Sequence, residues 1–145
     1  MEPSSRVAGL DVGDRRIGVA VSDSSLTLAQ PVGIFIHKGW SQDIQTIKRM
    51  LEPYGVKRIA VGDPVRDDGS QSAQSRKIRL FGDALSRAGF DVVYCDERHT
   101  SLEAAELLRS AGKKAGRGKV DAAAAAVILQ RWLDEYRSSP NNRSR

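Results

Sequence analysis

The sequence holds a single cysteine, Cys95, and only two histidines, His37 and His99. A lone cysteine forms no intrachain disulfide and suits a reducing cytoplasm. Without a Cys/His set, any metal would have to be held by oxygen ligands. No apolar run approaches the ~20 residues of a membrane span, and no apolar signal core follows the polar opening Met1 to Arg6. A cytoplasmic protein with no membrane partner is therefore expected. Internal repeats are also absent.

What is present fits one globular unit. The chain has 145 residues, 40% hydrophobic and 28% charged, enough to bury well over half of its unfolded surface. We expect a single domain over 1–137 and a polar tail over 138–145, where Pro140, Asn141 and Asn142 stand. The net charge is +5 and the pI about 9.7, which favours polyanionic partners. Arg137, Arg143 and Arg145 lie in or near the tail, so part of that excess says nothing about a folded surface.

The stretch Val7 to Gly13 anchors the chain: an apolar run delivers one carboxylate, Asp11, to a glycine turn. Ile17 to Ser22 follows at once and predicts an antiparallel hairpin. Pro31 to Ile36 predicts a third strand. Ser41 is placed to cap a helix with Ile44, Ile47, Met50, Leu51 and Tyr54 on one face, stopped by Pro53 and Gly55. Lys57 to Gly62 predicts a fourth strand, Asp63 to Gln71 a polar loop, Ser72 to Ala88 a second helix ended by Gly89, and Phe90 to Cys95 a fifth strand. Thr100 and Glu103 form a capping box for a helix ending near Gly112. A basic, glycine-rich linker, 113–119, precedes a last helix from about Lys119 or Val120 to Tyr136. A three-strand meander extended by two helix-linked parallel strands gives an α/β fold, a five-stranded mixed sheet flanked by helices.

Three acids stand where elements end: Asp11, Glu97 and Asp121. Clustered carboxylates repel and need a cation or a shared proton. Oxygen ligands favour Mg²⁺, or Mn²⁺ in its place, and such ions hold the attacking water and leaving oxygen of a phosphodiester. Each acid also has a plainer reading. Asp121 suits a helix dipole, Glu97 a surface pair with Arg98 or Lys119, and Asp11 a solvated turn. Adjacent strand residues face opposite ways, so only one of Asp96 and Glu97 faces a shared site. Lys113, Lys114, Arg117 and Lys119 read either as a solvated loop or as guides for a phosphate backbone. His99 is either a proton shuttle or structural, His37 reads as loop, and Cys95 as core.

Taken together, Gly9 to Asp23, Val61-Gly62-Asp63-Pro64 with Asp68-Gly69-Ser70, Asp96 to Ser101, and Lys119-Val120-Asp121 with Ala125 to Gln130 resemble the YqgF (RuvX) family, over about Arg6 to Tyr136. The resemblance implies an RNase H-like fold with Asp11, Glu97 and Asp121 as catalytic and metal-holding acids. It also implies either maturation of the 5′ end of the small-subunit (16S) ribosomal RNA precursor, on ribosomal precursor particles, or resolution of four-way DNA junctions. Three departures stand out. Asp63 replaces the usual Leu and either touches a metal or faces water. His99 and Ser101 replace the commoner Leu and Thr. Ala124 and Ala125 stand where related resolvases often carry a second acid, which leaves one or two ions open.

The leading expectation is a Mg²⁺-dependent nuclease for structured RNA, with Lys113, Lys114, Arg117 and Lys119 on phosphates and Arg98 either there or bracing Glu97. Junction resolution, the rival in chemistry, calls for a homodimer where RNA cleavage needs only a monomer. A non-catalytic RNA-binding module is a different class. An ATP-binding protein of the actin-like kind would need two such domains, and this chain has one.

Overall fold

The computed structural model describes residues 6–64, 72–96 and 122–138. Its sheet has the order β3-β2-β1-β4-β5. Strands β1 (Val7–Val12), β2 (Arg16–Ser22) and β3 (Ala29–Ile36) form the expected antiparallel meander. β4 (Arg58–Asp63) pairs parallel to β1, and β5 (Asp91–Asp96) parallel to β4. β1 is central because the tight hairpin claims one of its edges and the helical crossover delivers β4 to the other. Three helices accompany the sheet among the described residues: α1 (Trp40–Leu51), α2 (Ala73–Arg87) and α3 (Ala123–Ser138). None is long and apolar enough to cross a membrane. The expected helix after Thr100, the basic linker and the tail beyond Ser138 lie outside the described residues.

Alternation along the strands sorts the side chains onto two faces. Ala8 and Leu10 of β1, with Ile17, Val19, Ile59 and Val61 beside them, pack against Ile47 and Leu51 of α1 and Ile78, Phe81 and Leu85 of α2. Each large side chain buried there contributes about 1.5–3 kcal/mol relative to exposure. The opposite face, with Val7 and Ala20, takes α3 through Ala125, Ala126, Leu129 and Leu133. The approach of α3 is very close at Gly9. A Cβ there would stand 2.7 Å from Leu129 Cβ and 2.8 Å from the Ala125 carbonyl oxygen. Gln130 then ties the helix to the edge, accepting from Ala29 N–H at 2.9 Å and donating to the Thr27 carbonyl at 2.9 Å.

Helix α3 runs against the direction of β1. Ala125 and Leu129 lie over Gly9, whereas Trp132 lies beneath Arg58, which pairs with Val7 at the start of the strands. The first turn of α3 therefore sits at the end of the sheet where β1, β4 and β5 finish.

Several local expectations shift. α1 begins at Trp40 behind Gly39, whose φ of 133° suits only glycine, and no side chain caps it. Asp43, not Ser41, secures the corner: it is 1% exposed, accepts from the Lys38 N–H at 3.0 Å and pairs with His37 Nδ1. His37 lies in the loop between β3 and α1, as expected, and this pairing ties it to the corner. β3 starts at Ala29, two residues before Pro31, with a register shift at Val19/Ala20 that accommodates the proline.

Asp63 requires a correction. It is the last residue of β4 rather than the first of a loop, it is 2% exposed, and it faces α2. Its carboxylate accepts from Arg79 Nε and Nη2 at 2.9 and 2.6 Å and from the Ser75 hydroxyl. It therefore neither faces water nor shares the face of Asp11. Arg79 lies 4.3 Å from the Tyr94 ring centre, and Tyr94 donates to the Arg79 carbonyl at 3.4 Å. Burial, reinforced by the Asp83 charge, raises the Tyr94 phenol above its usual range.

Two outcomes follow from this packing. Gly9→Ala must push α3 off β1, and urea unfolding should register a loss of about 1–3 kcal/mol; an unchanged midpoint would contradict the close approach. Arg79→Met should destabilise more than Asp63→Leu, by roughly 1–3 kcal/mol after allowing for the exposed side of Arg79. The first strands a buried carboxylate, whereas the second leaves a guanidinium that still reaches water. Equal losses would contradict the brace.

Candidate active site

Asp11 is the fifth residue of β1, one short of its end, and pairs across the hairpin with Gly18. On the other side Leu10 pairs with Val61, so Asp11 is level with Gly62. Strand alternation puts Asp11 on the face of Gly9, the one covered by α3. Its lateral neighbours Gly18 and Gly62 and its predecessor Gly9 on that face all lack side chains, and the first turns of α3 bring only alanines. The result is a partly buried carboxylate with only small residues beside it among the described ones.

The hairpin turn holds this acid at the sheet's end. Gly13 N–H donates to the Arg16 carbonyl at 2.9 Å, and a Cβ on Gly13 would meet that same oxygen at 3.0 Å. A residue with a side chain would loosen the turn that fixes Asp11.

Burial raises the Asp11 carboxyl above its ordinary value. Among the described residues no cation or hydrogen-bond donor pairs with it, and no group of three His, Cys, Asp or Glu side chains could hold a metal. A desolvated carboxylate suits a hard divalent cation, which offsets the cost of burying the charge. The donor chemistry therefore fits Mg²⁺ or Mn²⁺, with Asp11 as the one ligand of the expected set within the described residues.

Glu97, Asp121, Arg98, His99, Lys113, Lys114, Arg117 and Lys119 lie outside the described residues. Two of their chain neighbours are described. Asp96 closes β5, level with Asp63, and buried Ala122 leads into α3. Both stand at the end of the sheet that carries Asp11. Asp63, the additional acid of the sequence, belongs to the brace on the other face. Sequence reading missed Asp43 and the corner it fixes; its one signal was an acid in the first turn of the helix.

Comparison with known proteins agrees with this frame. A family model described as RuvX, Holliday junction resolvase, matches residues 5–135. A relative from Anaeromyxobacter sp. (strain Fw109-5), named "Putative pre-16S rRNA nuclease", is 43% identical over 132 residues, 89% of this chain and 96% of its own. A relative of the same name from Caldanaerobacter subterraneus subsp. tengcongensis is 40% identical, covering 92% of this chain and 99% of its own. Among solved structures, T. thermophilus RuvC in complex with a Holliday junction substrate aligns with a TM-score of 0.59 at 18% identity, covering 92% of this chain and 96% of that one. Fowlpox virus resolvase aligns with a TM-score of 0.56 at 11% identity, covering 90% and 97%. At those identities the likeness concerns the fold, which is RNase H-like. By its family match and by the identity and coverage of its relatives, the chain belongs to the RuvX family.

Proposed function

We propose that this protein is a divalent-metal-dependent nuclease that hydrolyses phosphodiester bonds in the 5′-end maturation of pre-16S rRNA, with Asp11, Glu97 and Asp121 as its acidic site. The observation that carries the proposal is the desolvated Asp11 carboxylate at the end of a central strand, which pairs with no side chain among the described residues. Glu97 directly follows Asp96, and Asp121 directly precedes Ala122. Covalent continuity therefore supports their meeting Asp11. Relatives about 40% identical over nearly their whole length carry the rRNA name, which favours RNA over branched DNA.

In this reading Asp11 gives the site a fixed oxygen ligand on a central strand, and Glu97 and Asp121 complete the set for Mg²⁺, or Mn²⁺ in its place. When bound, the ion supplies activation of water and charge stabilisation at the scissile phosphate. Lys113, Lys114, Arg117 and Lys119 hold backbone phosphates on either side, and Arg98 contacts the backbone or braces Glu97. A ribosomal precursor particle is the natural setting, in the cytoplasm, in keeping with a sequence that holds a single cysteine. A monomer suffices for this reaction, whereas paired cuts in a four-way junction require a symmetric dimer.

The test is cleavage of a pre-16S leader fragment and of a four-way DNA junction by the purified protein in Mg²⁺, with Asp11→Asn as control. RNA cleavage that falls at least about 10³-fold in the variant is expected. Symmetric junction nicking with intact RNA would reverse the assignment of substrate, and equal RNA cleavage by the variant would remove Asp11 from the chemistry.

Asp11 also has a pH signature. A carboxyl raised in the folded state lends stability below its unfolded value of 3.8 and loses that contribution as pH rises through the folded value. In the metal-free protein, burial of this group therefore costs stability at neutral pH. Asp11→Asn should raise the metal-free Tm at pH 7 by about 2–4 °C, and the gain should shrink toward pH 4. Added Mg²⁺ should stabilise the parent and not the variant. A variant less stable than the parent at pH 7 without metal would contradict the desolvated acid.

A further inference from the structure

A second feature stands at the same end of the sheet, on the α1/α2 side of the hairpin turn. Trp40 opens α1 and leans on Phe81, with ring centres 6.4 Å apart at 53°, yet 39% of its surface remains open. The other tryptophan is satisfied differently: Trp132 stacks on Tyr136 at 5.0 Å beneath Arg58. A large aromatic anchored on one neighbour and left partly open can serve as a platform.

Trp40 lines one depression with Val12, Gly13, Asp14, His37 and Lys77. That depression is largely apolar, with Ile17, Ile78 and Phe81 in its wall, and its charged members are Lys77 and Asp14. Asp14 and His37 also line the adjoining depression, which continues to Arg15 and Arg16. A shallow groove thus runs from the residues just after Asp11, past Trp40 and Lys77, to the hairpin tip. Lys77 and Arg15 are exposed along it. Buried Asp43 fixes the support, binding the Lys38 N–H and the His37 imidazole on the segment that carries Trp40. His37 N–H in turn donates to the Arg15 carbonyl at 2.8 Å, which locks the hairpin tip to the same corner. The segment that carries Trp40 and the backbone of the hairpin tip are therefore tied to one corner.

We propose that this groove is a second nucleic-acid subsite that takes an unpaired nucleotide of the substrate's single-stranded flank, with the base on Trp40 and the neighbouring phosphates on Lys77 and Arg15. The pairing of a flat, open aromatic with flanking cations matches an unpaired base and its backbone. A paired base would keep its face inside the stack and leave Trp40 unused. The inference rests on the nuclease reading above, since it takes nucleic acid as the substrate. It adds that the enzyme distinguishes tailed from blunt ends.

The test compares two RNA hairpins of identical stem, one blunt and one with a 5′ single-stranded tail. Cleavage is followed with the parent protein, and binding is measured in the Asp11→Asn background. The tailed RNA should bind about tenfold more tightly, and Trp40→Leu and Lys77→Glu should each abolish most of that preference. Because Trp40→Leu also removes the contact with Phe81, Trp132→Phe provides a check in a folded protein: with Trp40 as the sole tryptophan, its fluorescence should be quenched by the tailed RNA and not by the blunt one. RNA cleavage by the parent, with the tail preference intact in both variants and no quenching of Trp40, would overturn the subsite alone. A parent that neither binds nor cuts either RNA would overturn the subsite together with the nuclease reading.

Discussion

The close seating of α3 on β1 is the constraint on which the rest depends. Gly9 supplies no side chain, and Leu129 Cβ and the Ala125 carbonyl occupy the space one would take. Alanines at 122–126 let the helix begin near the sheet rather than above a layer of larger side chains. This packing costs apolar area, because alanine buries little. It is offset farther along by Leu129 and Leu133, and by a separate, larger core on the other face. The two faces thus divide the work, with bulk and stability under α1 and α2 and proximity under α3.

That division explains the electrostatics of the two strand-end acids. Asp63 falls on the bulky face and is neutralised by Arg79 and Ser75, so it serves as a brace between β4 and α2. Asp11 falls on the other face, where the glycines and alanines among the described residues offer no partner, and burial raises its carboxyl. A one-residue difference in strand phase separates a structural carboxylate from one suited to a cation. The same end of the sheet gathers the hairpin tip, the start of α1 and the first turn of α3, as the crossover topology of a parallel pair requires.

Much of this was legible in the residues. Strand and helix periodicity gave the meander, the two crossover strands and the helical faces, and Gly55 and Gly89 stop where their positive φ angles require glycine. Asp11 was legible because an apolar run ends in a glycine turn. Asp63 was not: its partners lie 12 and 16 residues away on another helix, and nothing local distinguishes a buried acid from a loop acid. The same blindness hid Asp43 and the exposed placement of Trp40, since both depend on how a corner folds rather than on spacing. Glu97 and Asp121 drew their assignment from family resemblance as much as from position, and the described geometry reaches only their chain neighbours.

The central claim is that Asp11, Glu97 and Asp121 share one divalent ion. Electron paramagnetic resonance of Mn²⁺ titrated into the protein tests it without relying on any substrate. The account predicts stoichiometric binding by the parent chain, lost or weakened at least tenfold in Asp11→Asn, Glu97→Gln and Asp121→Asn alike. Mn²⁺ binding that survives all three substitutions, or that never occurs in the parent, would contradict it.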